Sequence, residues 1–461
     1  MAERDVIVVG GGLAGIAAAL ELKAHGRDVL LLERDQTLGG KAGTLTTQWG
    51  DFPLGPTSFN GRHPAFWRLL AHLGLEAEAL PLAAGSQARF IVRDQRLAGI
   101  RPNPLSVLTT GALTLKDKLA LAVDLVSSKR SSAVEEEDES LDAFLARRFG
   151  RALTDHFFAA VMTGIFAGDL KKLSATSCMP ALVTAEKEYG SVLRGALASL
   201  RHTEDGARRG LYTFRTGFGV IPRAASRRLE VVTGAFVTAV RPAGQGVKVV
   251  LERDGHEETH EARRVVLATE AAVAGPLVAP WNPKAAEVLA SFPYAPIALV
   301  QWAEKTPGDS KLPLGFGYLA APIEGCFGLG TLFVGDLLAE TPRRFSTFVG
   351  GGLSPDRVDL SDEALLDGVK HDLQRLTGGV VGQLAGVVRW RRAVFQPPLG
   401  HLAALERLRR AMGQTPVVMA GSYFGGAAMK DALNSGFLAA EALLGETQGP
   451  VASARPREVL A

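Results

Sequence analysis

The sequence predicts an α/β fold in which one parallel sheet is gathered from the start, the middle and the end of the chain. An α+β second domain and a helical insertion fill the gaps between its pieces. Three observations predict this. The chain opens on a β-branched run, Val6-Ile7-Val8-Val9, which passes through Gly10-Gly11-Gly12-Leu13-Ala14-Gly15 into a helix-favouring stretch from Ile16 to His25. A second β-branched run lies between Arg263 and Ala268. A third, within Thr415 to Gly421, precedes a closing helix from Asp431 to Leu444. Short apolar strands alternating with helices are the pattern of a parallel sheet.

Composition bounds the function. The 461 residues are 47% hydrophobic, enough to bury a large core, which excludes disorder as the main state. Lys+Arg number 51 against 48 Asp+Glu, so the chain lacks the basic footprint of a nucleic-acid binder. The two cysteines, Cys178 and Cys326, form no Cys-x-x-Cys pair, which argues against a thiolate zinc site and for a reducing compartment. Met1 to Asp5 run straight into a strand without the apolar stretch of a signal peptide. No run reaches the 18 or so apolar residues of a membrane span. The expected location is cytoplasmic, with a one-sided contact to the inner face of the cell membrane left open.

The glycine turn has a specific task at each position. Gly10 permits the tight turn, Gly12 lets the backbone approach a pyrophosphate, and Gly15 allows close helix–strand packing. The free N–H groups at the helix start suit phosphate. Gly26 stops the helix, Val29 to Leu32 form the next strand, and Glu33 at its end can accept hydrogen bonds from a ribose. Strand, glycine turn, helix, strand and acid together make a Rossmann-like dinucleotide site.

Further along, Pro64 to Leu75 reads as a helix and Arg89 to Val92 as a strand. Leu105 to Phe149 reads as helical, broken by the acidic run Glu135 to Glu139, and Phe157 to Asp169 as a buried or membrane-facing helix and turn. Leu211 to Leu229 holds a Gly217-Phe218-Gly219 turn and a helix, and Gly234 to Val240 and Val247 to Leu251 alternate like paired strands. Ala295 to Trp302, Gly315 to Ala320 and Phe345 to Val349 read as strands, Ser361 to Leu376 as a helix, and Glu446 to Ala461 as a loose tail. The division expected is a nucleotide domain of residues 1–60, 211–290 and 386–461, a second domain of 61–97, 175–210 and 291–385, and a helical insertion of 98–174.

Leu38-Gly39-Gly40-Lys41-Ala42-Gly43, six residues past Glu33, resembles the second glycine segment of flavoprotein oxidases of the amine-oxidase and phytoene-desaturase superfamily. Simple nicotinamide dehydrogenases lack that segment, so FAD is the expected cofactor. Thr163-Gly164-Ile165-Phe166-Ala167-Gly168-Asp169, Leu173-Ser174 and Ser177-Cys178-Met179-Pro180 resemble the interior signature of one branch, the oxygen-dependent protoporphyrinogen oxidases. Arg389-Trp390, Gln396, Gly400-His401, Ala420-Gly421, Gly426 and Ser435-Gly436 resemble that branch near its end.

This resemblance implies the following contacts. Gly10, Gly11, Gly12, Leu13, Ala14 and Gly15 hold the pyrophosphate. Glu33 and Arg34 serve the ribose, and Gly39, Gly40 and Lys41 the next loop. Gly55, Pro56, Thr57 and Ser58 lie near the flavin ring, and Trp390 packs beside it. Val237 binds the adenine through its backbone. Ala427, Ala428 and Met429 stand at the last helix start, where the dipole favours a reduced flavin. With no cysteine near that segment, the FAD is held non-covalently.

The resemblance also implies a porphyrinogen substrate and molecular oxygen as acceptor, with no metal. Protoporphyrinogen IX is the first candidate and coproporphyrinogen III the second. Arg89 is the candidate anchor for a substrate carboxylate, because a guanidinium grips a carboxylate bidentately. Phe316 and Tyr318 are candidate pocket walls. No acid or base is assigned, since hydride transfer to a flavin needs none. An amine oxidase or isoprenoid desaturase, a non-catalytic flavoprotein, and a homodimeric state remain open.

Overall fold

The computed structural model describes residues 3–101, 109–126, 138–199, 208–413 and 415–445. Its first sheet has seven strands. Glu230–Val232, Val29–Leu32, Arg4–Val9 and the end of His256–Leu267 run parallel side by side, and Val417–Met419 also pairs in parallel with His256–Leu267. The first half of His256–Leu267 turns into an antiparallel ribbon with Gly246–Arg253 and Phe236–Ala243.

The parallel strands are apolar on both faces because helices cover both faces. On one side Val6, Val8 and Leu31 pack against Ile16, Ala17 and Leu20 of the first helix, Leu13–Ala24, and against Leu433 and Phe437 of the closing helix, Met429–Leu444. On the other, Ile7, Val9 and Leu30 meet Ala274 and Leu277 of Ala271–Val278, Leu289 of Pro283–Ala290 and Leu408 of His401–Met412. The first and closing helices touch closely. A Cβ on Gly436 would stand 2.1 Å from the Ala14 carbonyl oxygen.

The second sheet orders its seven strands as Gln383–Phe395, Tyr294–Ala303, Arg344–Gly350, Gly330–Leu332, Gly317–Leu319, Arg89–Arg93 and Arg96–Ile100. Helix Asp362–Thr377 covers it through Leu365, Val369 and Leu373, and starts where the Ser361 hydroxyl accepts from the Ala364 N–H.

Three boundaries differ from the expected division. The cut at 386 falls inside Gln383–Phe395, which pairs along most of its length with Tyr294–Ala303 and so belongs to the second sheet. The cut at 97 falls inside Arg96–Ile100, the hairpin partner of Arg89–Arg93. Residues from 175 to 199 pack with the helical insertion: Cys178, Leu182 and Val192 share a core with Leu141, Phe144 and Phe149. The first and third partners lie far away in sequence, whereas the second is a local hairpin closed by a two-residue turn.

Within the stretch from Leu105 to Phe149, read as helical but broken by the acidic run, the described residues hold two long helices. Helices Leu115–Val126 and Leu141–Phe149 are separate, while residues 102–108 and 127–137, with most of the acidic run, lie outside the described residues, as does the tail 446–461. Helix Leu115–Val126 is turned inside out. Asp124 is buried, accepting from Ser191 Oγ at 2.8 Å and pairing with Arg148 at 2.5 Å, while Leu115, Leu119, Val123 and Val126 are exposed. Among the described residues, no helix is long and apolar enough to cross a membrane.

Candidate active site

A cavity of about 1340 Å³ is lined by both sheets and by the helical insertion. Its first wall is the glycine turn. Gly10 has φ +103°, a conformation that suits glycine, and its N–H donates to the Leu32 carbonyl. A Cβ at Gly15 would lie 1.9 Å from the Gly10 carbonyl oxygen, whereas one at Gly12 would meet nothing within 4 Å and point into open space. The helix then begins, and its first N–H groups have no acceptor within the helix.

Glu33 is buried, and its two oxygens accept from the backbone N–H of Gly11 at 2.6 Å and Asp35 at 2.8 Å. Burial pushes its carboxyl above the usual range, against the pull of those two donors. The Gly39 N–H donates to the Gly11 carbonyl, so the second glycine segment is tied directly to the first.

The structure brings most of the expected residues onto this one cavity. Gly10, Gly12, Leu13, Ala14, Glu33, Arg34, Gly39, Gly40, Lys41, Gly55, Pro56, Thr57, Val237, Trp390, Ala427, Ala428 and Met429 line it, as do Arg89, Phe316 and Tyr318. Gly11, Gly15 and Ser58 do not. The Gly11 N–H turns back to Glu33, Gly15 faces the Gly10 carbonyl, and Ser58 leads into Phe59, which is buried in the core.

At the second sheet the walls are apolar: Ile91, Phe157, Val161, Leu319, Leu329 and Phe348. Arg89 is the charged residue among them. Its guanidinium lies 5.0 Å from the centre of the Phe316 ring, and burial lowers its pKa. Among the described residues no carboxylate lies within ion-pair distance of it. Tyr318 is fully buried, its hydroxyl bonded to Thr331, so it forms the wall rather than offering a polar contact.

The closing helix also begins at the cavity. The Ala428 N–H donates to Asp431 Oδ2 at 3.0 Å, and the Gly421 N–H to Ser435 Oγ at 2.9 Å, which fixes the turn between the last strand and that helix. Two helix starts, glycine backbones with no room for a side chain, and a long apolar extension fit a flavin nucleotide.

Other resemblance-bearing residues prove structural. Gln396 Nε2 donates to the Phe166 carbonyl at 2.6 Å, and a Cβ on Gly168 would collide with the Gln396 side chain. Burial pushes both thiols up to about 12, so neither cysteine is a ready nucleophile. His401 is buried beside Phe292 and Phe395, and burial lowers its pKa to about 4. Its folded value lies below its unfolded one, so its contribution is complete above pH 6.5 and is lost as pH falls towards 4. The loss amounts to about 3 kcal/mol. A His401→Gln variant should lack this component, which urea unfolding of both proteins at pH 7.5 and 4.5 measures.

Sequence reasoning missed Glu270, Tyr294 and Arg392, which also line the cavity. Arg392 was accessible to it: a residue two positions from Trp390 on a strand shares its face. The helical residues Phe157, Val161 and Ile165 reach the cavity only through the tertiary arrangement.

The family profile for flavin-containing amine oxidoreductases matches residues 13–444. Protoporphyrinogen oxidase 2 of Arabidopsis thaliana is 26% identical over 85% of this chain and 84% of its own length. Coproporphyrinogen III oxidase of Propionibacterium freudenreichii is 27% identical over 86% of this chain and 82% of its own. A solved Exiguobacterium structure, provisionally assigned as a protoporphyrinogen oxidase, matches with a TM-score of 0.80 at 21% identity, covering 97% of this chain and 100% of that one. Cyclohexylamine oxidase from Brevibacterium oxydans matches with a TM-score of 0.70 at 18% identity, covering 96% and 99%. With its glycine cradle, its two converging helix starts and this profile spanning nearly all of it, the chain belongs to the flavin-containing amine oxidoreductase family.

Proposed function

We propose that this chain is an FAD-dependent oxidase, holding its cofactor non-covalently, that converts protoporphyrinogen IX to protoporphyrin IX with molecular oxygen as acceptor. The observation that carries this reading is Arg89: a half-buried guanidinium without a carboxylate partner among the described residues, in an apolar pocket open to the flavin site. A flat apolar macrocycle bearing carboxylates matches that combination.

The bound flavin supplies the two-electron acceptor. The protein's own residues bind and orient the ring. Arg89 pairs with a propionate, and the Phe316 ring supports its guanidinium face. Ile91, Phe157, Leu319 and Phe348 exclude water from the macrocycle. A meso C–H must come within roughly 3–3.5 Å of the accepting atom. The adjacent pyrrole nitrogens stabilise the cation left by hydride loss, so no side-chain base is needed for that step. Three such steps remove six electrons, and three oxygen molecules accept them as peroxide.

A second reading, coproporphyrinogen III as substrate, is favoured by the Propionibacterium relative. The exposed Leu115, Leu119, Val123 and Val126 form one helical face. It supports a cytoplasmic enzyme resting on one leaflet of the inner face of the cell membrane.

The test is anaerobic. Purified yellow protein mixed with each porphyrinogen in turn should bleach fastest with protoporphyrinogen, and oxygen should restore the colour with peroxide formation. Faster bleaching by coproporphyrinogen selects the second reading. Bleaching by amines or carotenoid precursors alone overturns both.

A further inference from the structure

Three charged side chains that the proposed chemistry leaves unused meet on the cavity wall. Lys41 follows the second glycine pair, Glu270 stands at the start of Ala271–Val278, and Arg392 projects from Gln383–Phe395. Lys41 Nζ donates to Glu270 Oε1 at 2.7 Å, and Arg392 Nε donates to Oε2 at 2.6 Å. The Lys41 ammonium is 5.9 Å from the centre of the Tyr294 ring, whose hydroxyl accepts from the Ala271 N–H at 3.1 Å. All four side chains line the cavity.

The cluster ties three segments together: a loop of the first sheet, the turn after its central strand, and the edge strand of the second sheet. Its position is therefore fixed by both sheets. Lys41 is tied to the glycine turn through Gly39, which pairs with Gly11 and Gly12, and the cluster shares one cavity with the apolar pocket holding Arg89. Burial pushes the Glu270 carboxyl up, but the charges of Lys41 and Arg392 outweigh it and hold it below its ordinary value. Glu270 is thus ionised at neutral pH. Two cations against one carboxylate leave a surplus positive charge, and the Tyr294 hydroxyl, pushed well up by burial, adds no negative one.

We propose that Glu270 is a positioning residue that holds the Lys41 and Arg392 cations beside the flavin ring, where their surplus charge favours the reduced state. The inference rests on flavin binding and not on the porphyrinogen reading. A flavin ring takes up negative charge on two-electron reduction at neutral pH. A fixed cation in a partly dehydrated site stabilises that charge without having to reorganise.

The experiment uses the flavin-loaded protein, reduced stepwise by dithionite against a redox dye. Glu270→Gln removes the negative charge and should raise the reduced-to-oxidised ratio at a fixed dye potential roughly tenfold, a midpoint shift of about +30 mV for two electrons. Lys41→Met and Arg392→Met should lower that ratio by a similar factor, and Glu270→Asp should restore the original value. A merely structural strap would be broken by every one of the first three variants and would shift them in the same direction. Shifts of one sign, or shifts all below about threefold, overturn the proposal. So does a Lys41→Met protein that loses flavin while Arg392→Met keeps the original potential, since Lys41 would then serve the diphosphate. An unaltered chain that takes up no flavin instead overturns the flavin reading itself.

Discussion

A Gly15→Val variant should be recovered colourless. A Cβ at this position would stand 1.9 Å from the Gly10 carbonyl oxygen, and that contact is to backbone, which cannot rotate away. Either the glycine turn opens or the first helix retreats from the sheet. Both movements destroy the alignment of amides that a diphosphate needs. Overpacking of this kind costs about 1–3 kcal/mol or more, so thermal stability should fall as well. The contrast is Gly12→Ala. Nothing lies within 4 Å of a Cβ built there, so the fold should be kept while the methyl group enters the space the cofactor needs. Flavin fluorescence titration and thermal unfolding of the two variants separate these effects. A Gly15→Val protein carrying stoichiometric flavin would refute the cradle.

The second large effect is expected at Arg89. Arg89→Ala should raise the Michaelis constant for the porphyrinogen with little change in the turnover number, because the anchor grips ground state and transition state alike. Removing one partner of a buried hydrogen-bonded charge pair costs about 2–5 kcal/mol. Its lower half, about 2–3 kcal/mol, corresponds to roughly 30- to 150-fold. The flavin spectrum should not change. Burial already disfavours the charge at Arg89, so the variant should unfold no more easily than the parent. Steady-state kinetics with the free acid and with a propionate ester provide the check. The ester should be insensitive to the substitution, and an unchanged Michaelis constant for the acid would remove Arg89 from the site.

The nucleotide half was readable because its physics is local. A β-branched run, three spaced glycines and an acid at the end of the next strand all fall within Val6 to Glu33, and the structure builds strand, turn, helix and strand there. The same locality made Gly26 a readable stop. The second sheet was read less well. The expected boundary at residue 386 cut through Gln383–Phe395, because nothing local in that stretch marks the sheet it joins. Which sheet takes it depends on the facing edge of Tyr294–Ala303. The short strands Glu230–Val232 and Gly330–Leu332 carry little pattern of their own and are held by their neighbours, whereas helix His401–Met412 was legible in the spacing of Ala404, Leu405, Leu408 and Met412 but was not read.

The inside-out helix Leu115–Val126 shows the same limit. Its sequence is apolar on more than one side, and only the distant partners Arg148 and Ser191 make the Asp124 face the buried one. Likewise, Lys41 was visible as a loop lysine, but its pairing with Glu270 spans 229 residues and with it the whole middle of the chain.

By itself the sequence determined that a glycine turn between strand and helix opens the chain and that a second glycine segment follows it, since both depend on backbone freedom within a few residues. The tertiary structure alone decided what surrounds the far end of the cavity: an arginine without a carboxylate partner among the described residues, a three-member ion cluster, and helical side chains from a separate insertion. Those features depend on which strand edges and helix faces meet across long stretches of chain, and burial and charge pairing acquire their values only once they do.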